Sequence, residues 1–239
     1  MKKGSKFLKV FTNLFIVIVV SIVFAIGFFP INTTPIYSGK KISVYYNGNK
    51  NSQSVSLMIN VYENADIVLE MISVLQKYEV LATFFVGGCW ADDNAETLNK
   101  IVSTGNEIAN HGYFHKDHKK LDYAHNKEEV YLTGKIISAL CGKTPTLFQP
   151  PSGSYSQATL DACEDLGYKV VMWSKDTIDW RDSDKEKIFS RATNGIMSGD
   201  LILMHPKRHT LETLPRIIEY IKKQNLKFVT VSENIVTEV

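Results

Sequence analysis

Three histidines stand close together in the segment GNEIANHGYFHKDH, which covers residues 105–118. His111 and His115 are four residues apart, and His118 follows three residues later. Two imidazoles at this spacing can bind one divalent ion, and imidazole is a suitable ligand for zinc and its neighbours. A single H-x-x-x-H pair is a weak indication of a metal site. Its significance depends on the elements that carry it and on the residues that they bring beside it.

Further groups of rigid or polar residues follow apolar runs of the chain. They are the turn Pro150–Gly153, the residues Asp176, Asp179 and Trp180, and the histidine His205. A Pro-Pro turn by itself predicts only a rigid loop. A histidine after a buried strand is usually packed and hydrogen-bonded, but His205 would share one edge of a sheet with two further histidines and two aspartates.

Short apolar runs alternate with amphipathic stretches from Ser54 onwards. The runs are Val55–Val61, Ala82–Val86, Val170–Trp173, Leu201–Met204 and Phe228–Val231. The predicted helices are Ala65–Tyr78, Ala95–Ser103, Glu128–Leu140, Gln157–Leu166, Lys185–Met197 and Leu211–Lys223. Such alternation predicts parallel strands and an α/β fold of barrel type, in which the chemistry lies where the strands end.

The N-terminal 31 residues have the pattern of a membrane anchor. The first nine contain four lysines and no acid, and Val10–Ile31 is almost wholly apolar. As a helix this segment would be roughly 33 Å long, about the thickness of a bilayer core. Lysines before the span place the N-terminus in the cytoplasm and the rest outside, as a single-pass membrane protein. The alternative is a signal peptide cleaved at Val23–Ala25, although the new terminus would then be apolar.

The sequence therefore predicts three parts. They are a lysine-rich end with the anchor (1–31), a polar extracytoplasmic stalk in which Ile42–Tyr46 could add a short strand (32–52), and a folded domain (53–239).

The net charge and the cysteines of the chain indicate no further function. Without the four N-terminal lysines the chain has 23 basic and 25 acidic residues, a net charge of −2, which does not indicate nucleic-acid binding. The three cysteines show no CxxC spacing and are expected to be small buried hydrophobic residues, although a disulfide is chemically permitted outside the cell. They are Cys89, Cys141 and Cys163.

Taken in order, the motifs resemble the polysaccharide deacetylase family, also called the NodB homology domain or carbohydrate esterase family 4. The resemblance runs from about Ser54 to Val236. The matching motifs are NH-x-x-x-H at Asn110–His115, PP-x-G at Pro150–Gly153, D-x-x-D-W at Asp176–Trp180 and L-x-H at Leu203–His205, and ATFFVGG (82–88) is similar to the family's second strand. The anchor, the PPSG form and the NVY strand are most similar to membrane-attached, sporulation-type deacetylases.

The resemblance implies a fold, a cofactor and a reaction. The fold would be a distorted (β/α)7 barrel, preceded here by the transmembrane helix. The activity would be a hydrolase that removes N-acetyl groups from a cell-wall glycan, expected to be peptidoglycan. A divalent metal ion, expected to be zinc, would polarise the acetyl carbonyl and activate water.

The resemblance also assigns roles to individual residues. His111 and His115 would be metal ligands, and His205 would be the general acid, with Asp179 adjusting its pKa. The substrate side would be formed by an oxyanion-binding backbone N–H, a wall of the methyl pocket, the sugar groove and the Pro-Pro turn. These belong to Ser152, Leu203, Trp180 and Pro151 respectively.

The first motif of the family is altered. T-F-D-D-G aligns without a gap with Met58–Tyr62, so Asn60 replaces the general base and Val61 replaces a metal ligand. Gln149 replaces the arginine that orients the base. Asn60 and Gln149 are expected to hydrogen-bond each other as neutral amides, because an arginine without its carboxylate would be an unpaired buried charge. An asparagine cannot take a proton from water near neutral pH. Two imidazoles alone bind a metal ion less firmly than two imidazoles together with a carboxylate.

Two hypotheses of different class follow. The first is a deacetylase of cell-wall glycan with a remodelled first motif, favoured by His111, His115, Asp179 and His205. The alternative is a non-catalytic glycan-binding or cell-wall assembly protein on the same fold, favoured by the changes at positions 60, 61 and 149. A zinc amidase acting on peptide bonds is a third hypothesis, but no motif of its own supports it.

Overall fold

The computed structural model describes residues 11–21, 24 and 43–235, which fall into two units, Met1–Lys40 and Lys41–Val239. In the first unit, residues 11–21 form helix α1. The predicted transmembrane segment Val10–Ile31 lies partly outside the described residues. Within the described ranges, no helix is long and apolar enough to cross a membrane. The anchor stays a prediction, and so does the stalk, of which residues 32–42 lie outside the description.

The second unit is built on one parallel sheet. Its strands are β1 (Val44–Tyr45), β2 (Ser54–Val61), β3 (Thr83–Val86), β4 (Glu107–Asn110), β5 (Leu147–Phe148), β6 (Lys169–Val171), β7 (Lys175–Asp176), β8 (Leu201–Met204) and β9 (Lys227–Phe228). The order across the sheet is β1-β6-β5-β4-β3-β2-β8-β7, and β9 pairs with β2. Because the paired strands run parallel, their carboxyl ends lie at one edge of the sheet.

Helices connect the strands and cover the sheet. They are α2 (Ala65–Lys77), α3 (Gly88–Asp93), α4 (Ala95–Ser103), α5 (Tyr123–Cys141), α6 (Gln157–Asp165), α7 (Lys185–Thr193), α8 (Arg208–Lys223) and α9 (Val231–Asn234). Helix α2 shows why these segments are helical and why they dock. Its residues Ile67, Val68, Met71, Ile72 and Leu75 recur at helical spacing and are all buried, which gives the helix one apolar stripe.

The two faces of β2 are buried against different parts of the core. Leu57 and Ile59 pack in the large cluster formed with the helices, whereas Met58 packs in a smaller cluster with Phe85. Side chains alternate along a strand, so Asn60 lies on the same face as Met58. Asn60 therefore takes the last position of this inner face before the strand ends.

The α/β class predicted from the sequence is confirmed, with one correction to the barrel. The described residues contain nine strands where seven were predicted, and four of the nine, β1, β5, β7 and β9, have only two residues each. The sheet is a curled half-barrel whose end strands, β1 and β7, do not pair with each other in the described part of the chain. Strand β1 lies in the range predicted as stalk, where Ile42–Tyr46 was expected to add a short strand, and Val44 pairs with Val170 of the sheet.

Candidate functional site

A cavity of about 480 Å³ opens at the edge of the sheet where the strands end. Its lining residues are Asn60, Tyr62, Glu63, His111, His115, Ser152, Trp173, Asp176, Trp180, Leu203, His205, Pro206 and Lys207. Most of the residues predicted from the sequence are therefore brought together in one place. Gln149, Pro151 and Asp179 are buried and do not line the cavity.

Asn60 and Val61 end strand β2, and their side chains have different surroundings. Asn60 is 6% exposed and lines the cavity, and its Oδ1 has no hydrogen-bond partner among the described residues. Val61 is fully buried in the apolar cluster that the strands form with the helices. Neither side chain can accept a proton from water near neutral pH, so neither residue can act as the general base.

Gln149 follows strand β5 and is fully buried. Its side-chain Oε1 and Nε2 both lack a hydrogen-bond partner within the described part of the chain, as does Asn60 Oδ1. The predicted hydrogen bond between the amides of Asn60 and Gln149 is therefore wrong. Each amide fits its buried position by size and neutrality, but the strand ends do not bring their polar atoms into contact.

His111 and His115 lie next to each other, with ring centroids 5.2 Å apart. The Nδ1–H of His111 donates to the Gln149 carbonyl oxygen over 2.8 Å, so Nε2 carries the free lone pair. Burial lowers the pKa of His111 to about 3, and His115 nearby adds to the effect. Burial also lowers the pKa of His115. Both rings are therefore neutral at pH 7, the state in which imidazole binds metal.

The two imidazoles do not complete a catalytic zinc site. Such sites hold the ion with three protein ligands, commonly including a carboxylate. Val61 stands where the carboxylate is expected, and no group of three or more His, Cys, Asp or Glu side chains that could hold a metal ion occurs within the described residues. The donor set therefore does not fit a catalytic zinc ion.

The predicted pair of His205 and Asp179 is present and hydrogen-bonded. His205 Nδ1–H donates to Asp179 Oδ1 over 2.7 Å, and the His205 backbone N–H donates to Oδ2 over 2.7 Å. Thr210 Oγ1–H donates to the same Oδ2. Burial raises the pKa of Asp179, but the hydrogen bonds from His205 and Thr210 outweigh it and the pKa lies below its ordinary value. Asp179 therefore stays ionised and fixes the His205 ring so that Nε2 is its free nitrogen.

The residues predicted to contact substrate lie at different depths. Leu203 is buried and Trp180 is 56% exposed, and both line the cavity. Ser152 also lines it and has a left-handed backbone, with φ of 55°, which is strained for a residue other than glycine. Pro151 is buried outside the lining, so a direct substrate contact from it is not supported by this geometry.

Glu129 of helix α5 holds the loop that carries His115, and the motifs did not indicate this role. Its side chain is 4% exposed. Oε2 accepts the backbone N–H groups of Tyr113 and Phe114 over 2.9 and 2.8 Å, and Oε1 pairs with Lys116 Nζ at 3.0 Å. Glu129 lies outside the motifs and its burial depends on the fold, so the sequence contained no signal for this role.

The rim of the cavity contains further residues that the motifs did not indicate. The Tyr62 ring lies 5.0 Å from the His115 ring, and Lys207 forms an ion pair with Glu63. Trp173 follows strand β6 and also lines the cavity. Each of these residues lies within three positions of a strand end or of His205, so position alone could have identified them.

Comparisons with known proteins agree with this geometry. The family model for polysaccharide deacetylase matches residues 47–171. The chain is 36% identical over 207 residues to the Bacillus subtilis protein YlxY. The aligned region covers 83% of this chain and 65% of YlxY. It is 32% identical over 175 residues to a peptidoglycan-N-acetylglucosamine deacetylase from Bacillus cereus, covering 69% of this chain and 79% of that enzyme. The chain therefore spans 65% of the length of YlxY and most of the deacetylase.

Two solved structures with a similar fold are those of a pseudoenzyme and of its mutant. A CE4 family pseudoenzyme from Bacillus anthracis matches with a TM-score of 0.80 and 30% sequence identity, over 82% of this chain and 70% of that one. A mutant of that pseudoenzyme with restored enzymatic activity matches with a TM-score of 0.80 and 29% identity, over 82% of this chain and 72% of that one.

The chain belongs to the polysaccharide deacetylase family, as the sequence predicted. Deacetylases of this family generally depend on a divalent metal ion, and its relatives include enzymes of peptidoglycan. The specific likeness to membrane-attached, sporulation-type members stays a prediction.

Proposed function

We propose that the protein binds cell-wall glycan, in the form of peptidoglycan, in the deacetylase cavity without removing acetyl groups. The observation that carries this proposal is Asn60, an amide at the position of the general base. Hydrolysis of an acetamide requires a group that takes a proton from the attacking water. The CE4 family pseudoenzyme from Bacillus anthracis, to which this chain is 30% identical, supports the proposal.

What remains of the site is suited to holding a sugar. The exposed Trp180 offers a flat aromatic face at the rim, and Leu203 offers an apolar wall inside. His205, held by Asp179, presents a ring nitrogen that can hydrogen-bond a hydroxyl or carbonyl group. None of these contacts requires the missing base, so binding can persist where catalysis has been lost.

The second candidate function is a deacetylase that uses another base, and the intact His205–Asp179 pair favours it. Glu63 is the available carboxylate nearest in sequence to the altered motif, and it lines the cavity. Glu63 is, however, half-exposed and its carboxylate is already paired with Lys207. This arrangement supports binding over catalysis.

Two measurements test the proposal. The protein is incubated with purified peptidoglycan, and both co-sedimentation and released acetate are measured. We expect co-sedimentation, with no more acetate than a His205→Ala variant releases. Acetate release well above that of His205→Ala would establish the second candidate, and failure to co-sediment would overturn glycan binding.

A further inference from the structure

A strained residue, Ile178, lies in the turn that follows strand β7. Its backbone is left-handed, with φ of 53°. A β-branched side chain is an outlier in that region, and such a conformation persists only where surrounding contacts hold it. The turn covers residues 177–182 and carries Asp179 and Trp180. The contacts that hold the turn therefore also set the direction of these two side chains.

Hydrogen bonds between neighbouring residues give the turn its local shape. Asp176 Oδ1 accepts the Ile178 N–H over 2.8 Å. The Ile178 carbonyl oxygen accepts the backbone N–H groups of Arg181 and Asp182 over 3.2 and 2.9 Å. Because these bonds join residues close in sequence, they fix the curvature of the turn but not its attachment to the rest of the domain.

Arg191 of helix α7 attaches the turn at both of its ends. Its Nη1–H donates to the Thr177 carbonyl oxygen over 3.1 Å, and its Nη2–H donates to Asp182 Oδ2 over 2.6 Å. A guanidinium group is planar and holds its donors in fixed directions, so it sets the separation of these two acceptors. The side chains of Arg191 and Asp182 are both partly buried, which shields the ion pair from water.

Asp179 and Trp180 depend on this attachment to different degrees. Asp179 is also held by His205 and Thr210, as described above, and His209 Nε2–H donates to its carbonyl oxygen over 2.9 Å. The Trp180 side chain is exposed and forms no hydrogen bond with another described residue. The position of the Trp180 ring therefore depends on the backbone of the turn.

We propose that Arg191 is a positioning residue for glycan binding, which holds the turn so that the Trp180 ring faces the cavity. This inference rests on the glycan-binding function proposed above. Arg191 is not among the residues that line the cavity, so it would act through Trp180 and not by contact with the glycan. It also lies outside the motifs shared with the deacetylase family, and it gives helix α7 a part in the site.

The test uses two variants of the ion pair and one matched control. Arg191→Met removes both donors and keeps a long apolar side chain. Asp182→Ala removes one acceptor and leaves the other bond of the arginine in place. The control is Arg216→Met. Arg216 of helix α8 pairs with Glu186 of helix α7, and its guanidinium carbon lies 3.9 Å from the centre of the Phe189 ring, so neither contact involves the turn.

The first readout follows Trp180 directly and needs no ligand. The chain has three tryptophans, Trp90, Trp173 and Trp180, so labelling with 5-fluorotryptophan gives one fluorine NMR signal for each. The signal that is absent from a Trp180→Phe variant belongs to Trp180. The second readout is the affinity of the full chain for purified peptidoglycan, measured by co-sedimentation over a range of concentrations at a temperature where every variant is folded.

In Arg191→Met we expect the Trp180 signal to move toward its position in the urea-unfolded chain, while the signals of the other two tryptophans stay in place. The affinity for peptidoglycan should fall by about tenfold, comparable to the loss of one aromatic contact. Asp182→Ala should show the same changes to a smaller extent, and Arg216→Met should show neither. In a Trp180→Ala background, Arg191→Met should cause little further loss of affinity, because residues that act through one contact are non-additive.

Each other outcome overturns a defined statement. An unchanged Trp180 signal in folded Arg191→Met, or in Asp182→Ala if Arg191→Met does not fold, overturns the positioning role whatever the affinity. Unchanged affinity, or a full further loss in the Trp180→Ala background, overturns the action through Trp180 while glycan binding stands. If the natural protein does not co-sediment with peptidoglycan, the proposed function fails, and the fluorine signal alone then decides whether Arg191 holds the turn.

Discussion

Asparagine and aspartate have nearly the same shape, so position 60 can lose its chemistry without disturbing strand β2. The carboxylate of an active site needs a partner that keeps it ionised in a buried position. Gln149 is fully buried and uncharged, so this chain contains no such partner at the position expected for it. We therefore expect the changes at positions 60 and 149 to be linked by charge, although the two amides do not hydrogen-bond each other.

Asn60→Asp alone is expected to destabilise the protein. The new carboxylate would be buried without a cation at position 149, its pKa would rise, and the free energy of unfolding at pH 7 would fall by about 1–3 kcal/mol. Urea denaturation measures this loss, and adding Gln149→Arg should recover most of it. If the double variant is less stable than Asn60→Asp, positions 60 and 149 are not a charge pair in this fold.

The triple variant Asn60→Asp, Val61→Asp, Gln149→Arg is expected to release acetate from an N-acetylated glycan faster than the natural protein. It combines a base and an orienting cation with the His205–Asp179 pair already present, and it restores at position 61 the carboxylate that the family resemblance assigns to the metal site.

The control for the triple variant is the set of three single variants. Residues that share one network act non-additively, so no single change should produce the gain. Val61→Asp alone should be the least stable, because it places a carboxylate in a fully buried apolar cluster. Independent, additive effects of the three changes would contradict a shared site.

At the scale of elements, the loop between β4 and α5 depends on a helix for its shape. Glu129 accepts two consecutive backbone N–H groups of this loop and pairs with Lys116. The His115 backbone is left-handed, with φ of 53°, so the loop needs such contacts to hold it. The position of the His115 ring is thus set by helix α5.

Glu129→Gln is expected to loosen this loop and to weaken glycan binding. Loss of the charge weakens two hydrogen bonds and removes an ion pair, and the expected cost is about 1–3 kcal/mol. Hydrogen exchange of residues 112–117 measures the loosening, and exchange there should increase more than in α5 itself. Glu128→Gln, at an exposed neighbouring position, is the control and should change neither exchange nor affinity. Unaltered exchange in Glu129→Gln would show that the loop is held by other contacts.

The sequence predicted elements with long apolar patterns well and short ones poorly. Ala65–Tyr78 and Ala95–Ser103 correspond to α2 and α4 because several turns of a helix give a clear 3.6-residue pattern. Strands β5 and β7 have two residues each, too few to show any period. Helix α5 begins at Tyr123, five residues before the predicted start, because its cap is the Asp122 side chain and not an apolar residue.

The site was predicted to the extent that it depends on residue type. The motifs correctly predicted that His111, His115 and His205 share one cavity. The resemblance to the family identified the altered positions 60, 61 and 149. The orphaned amide of Asn60 could not be predicted, because a hydrogen bond between strand ends depends on distances that spacing does not fix. The buried position of Pro151 was missed for the same reason.

At the scale of the whole molecule, buried neutral histidines connect stability to pH. His118 is fully buried, its Nδ1–H donates to Asn126 Oδ1 over 2.7 Å, and burial lowers its pKa. His111 has its pKa lowered to about 3 by burial and by His115. The unfolded chain takes up protons on histidine near pH 6.5 while these folded rings stay neutral, so acid favours the unfolded state.

The melting temperature is therefore expected to be highest above about pH 6.5 and to fall as the pH is lowered to 5. Thermal unfolding followed by circular dichroism measures this slope. His118→Leu should be less stable at pH 7.5, because Asn126 Oδ1 loses its donor, yet its melting temperature should depend less on pH. His125→Gln changes an exposed histidine and should keep the natural slope. An identical slope in His118→Leu would exclude His118 as a source of the acid sensitivity.

The last prediction concerns where the folded domain is held. We propose that Val10–Ile31 anchors the chain and that four preceding lysines keep the N-terminus in the cytoplasm, which would place the glycan cavity on the cell-wall side. Without residues 1–31 the net charge is −2, so electrostatic attraction to anionic lipids would not hold the domain at the membrane. We expect the full chain to sediment with membranes, to resist extraction by high salt and to dissolve in detergent. External protease should degrade its domain in intact protoplasts.

A variant without residues 1–31, produced in the cytoplasm, is the control and should remain in the supernatant. Recovery of the natural protein mainly from the medium, with a terminus near Ile26, would establish a cleaved signal peptide and contradict the anchor.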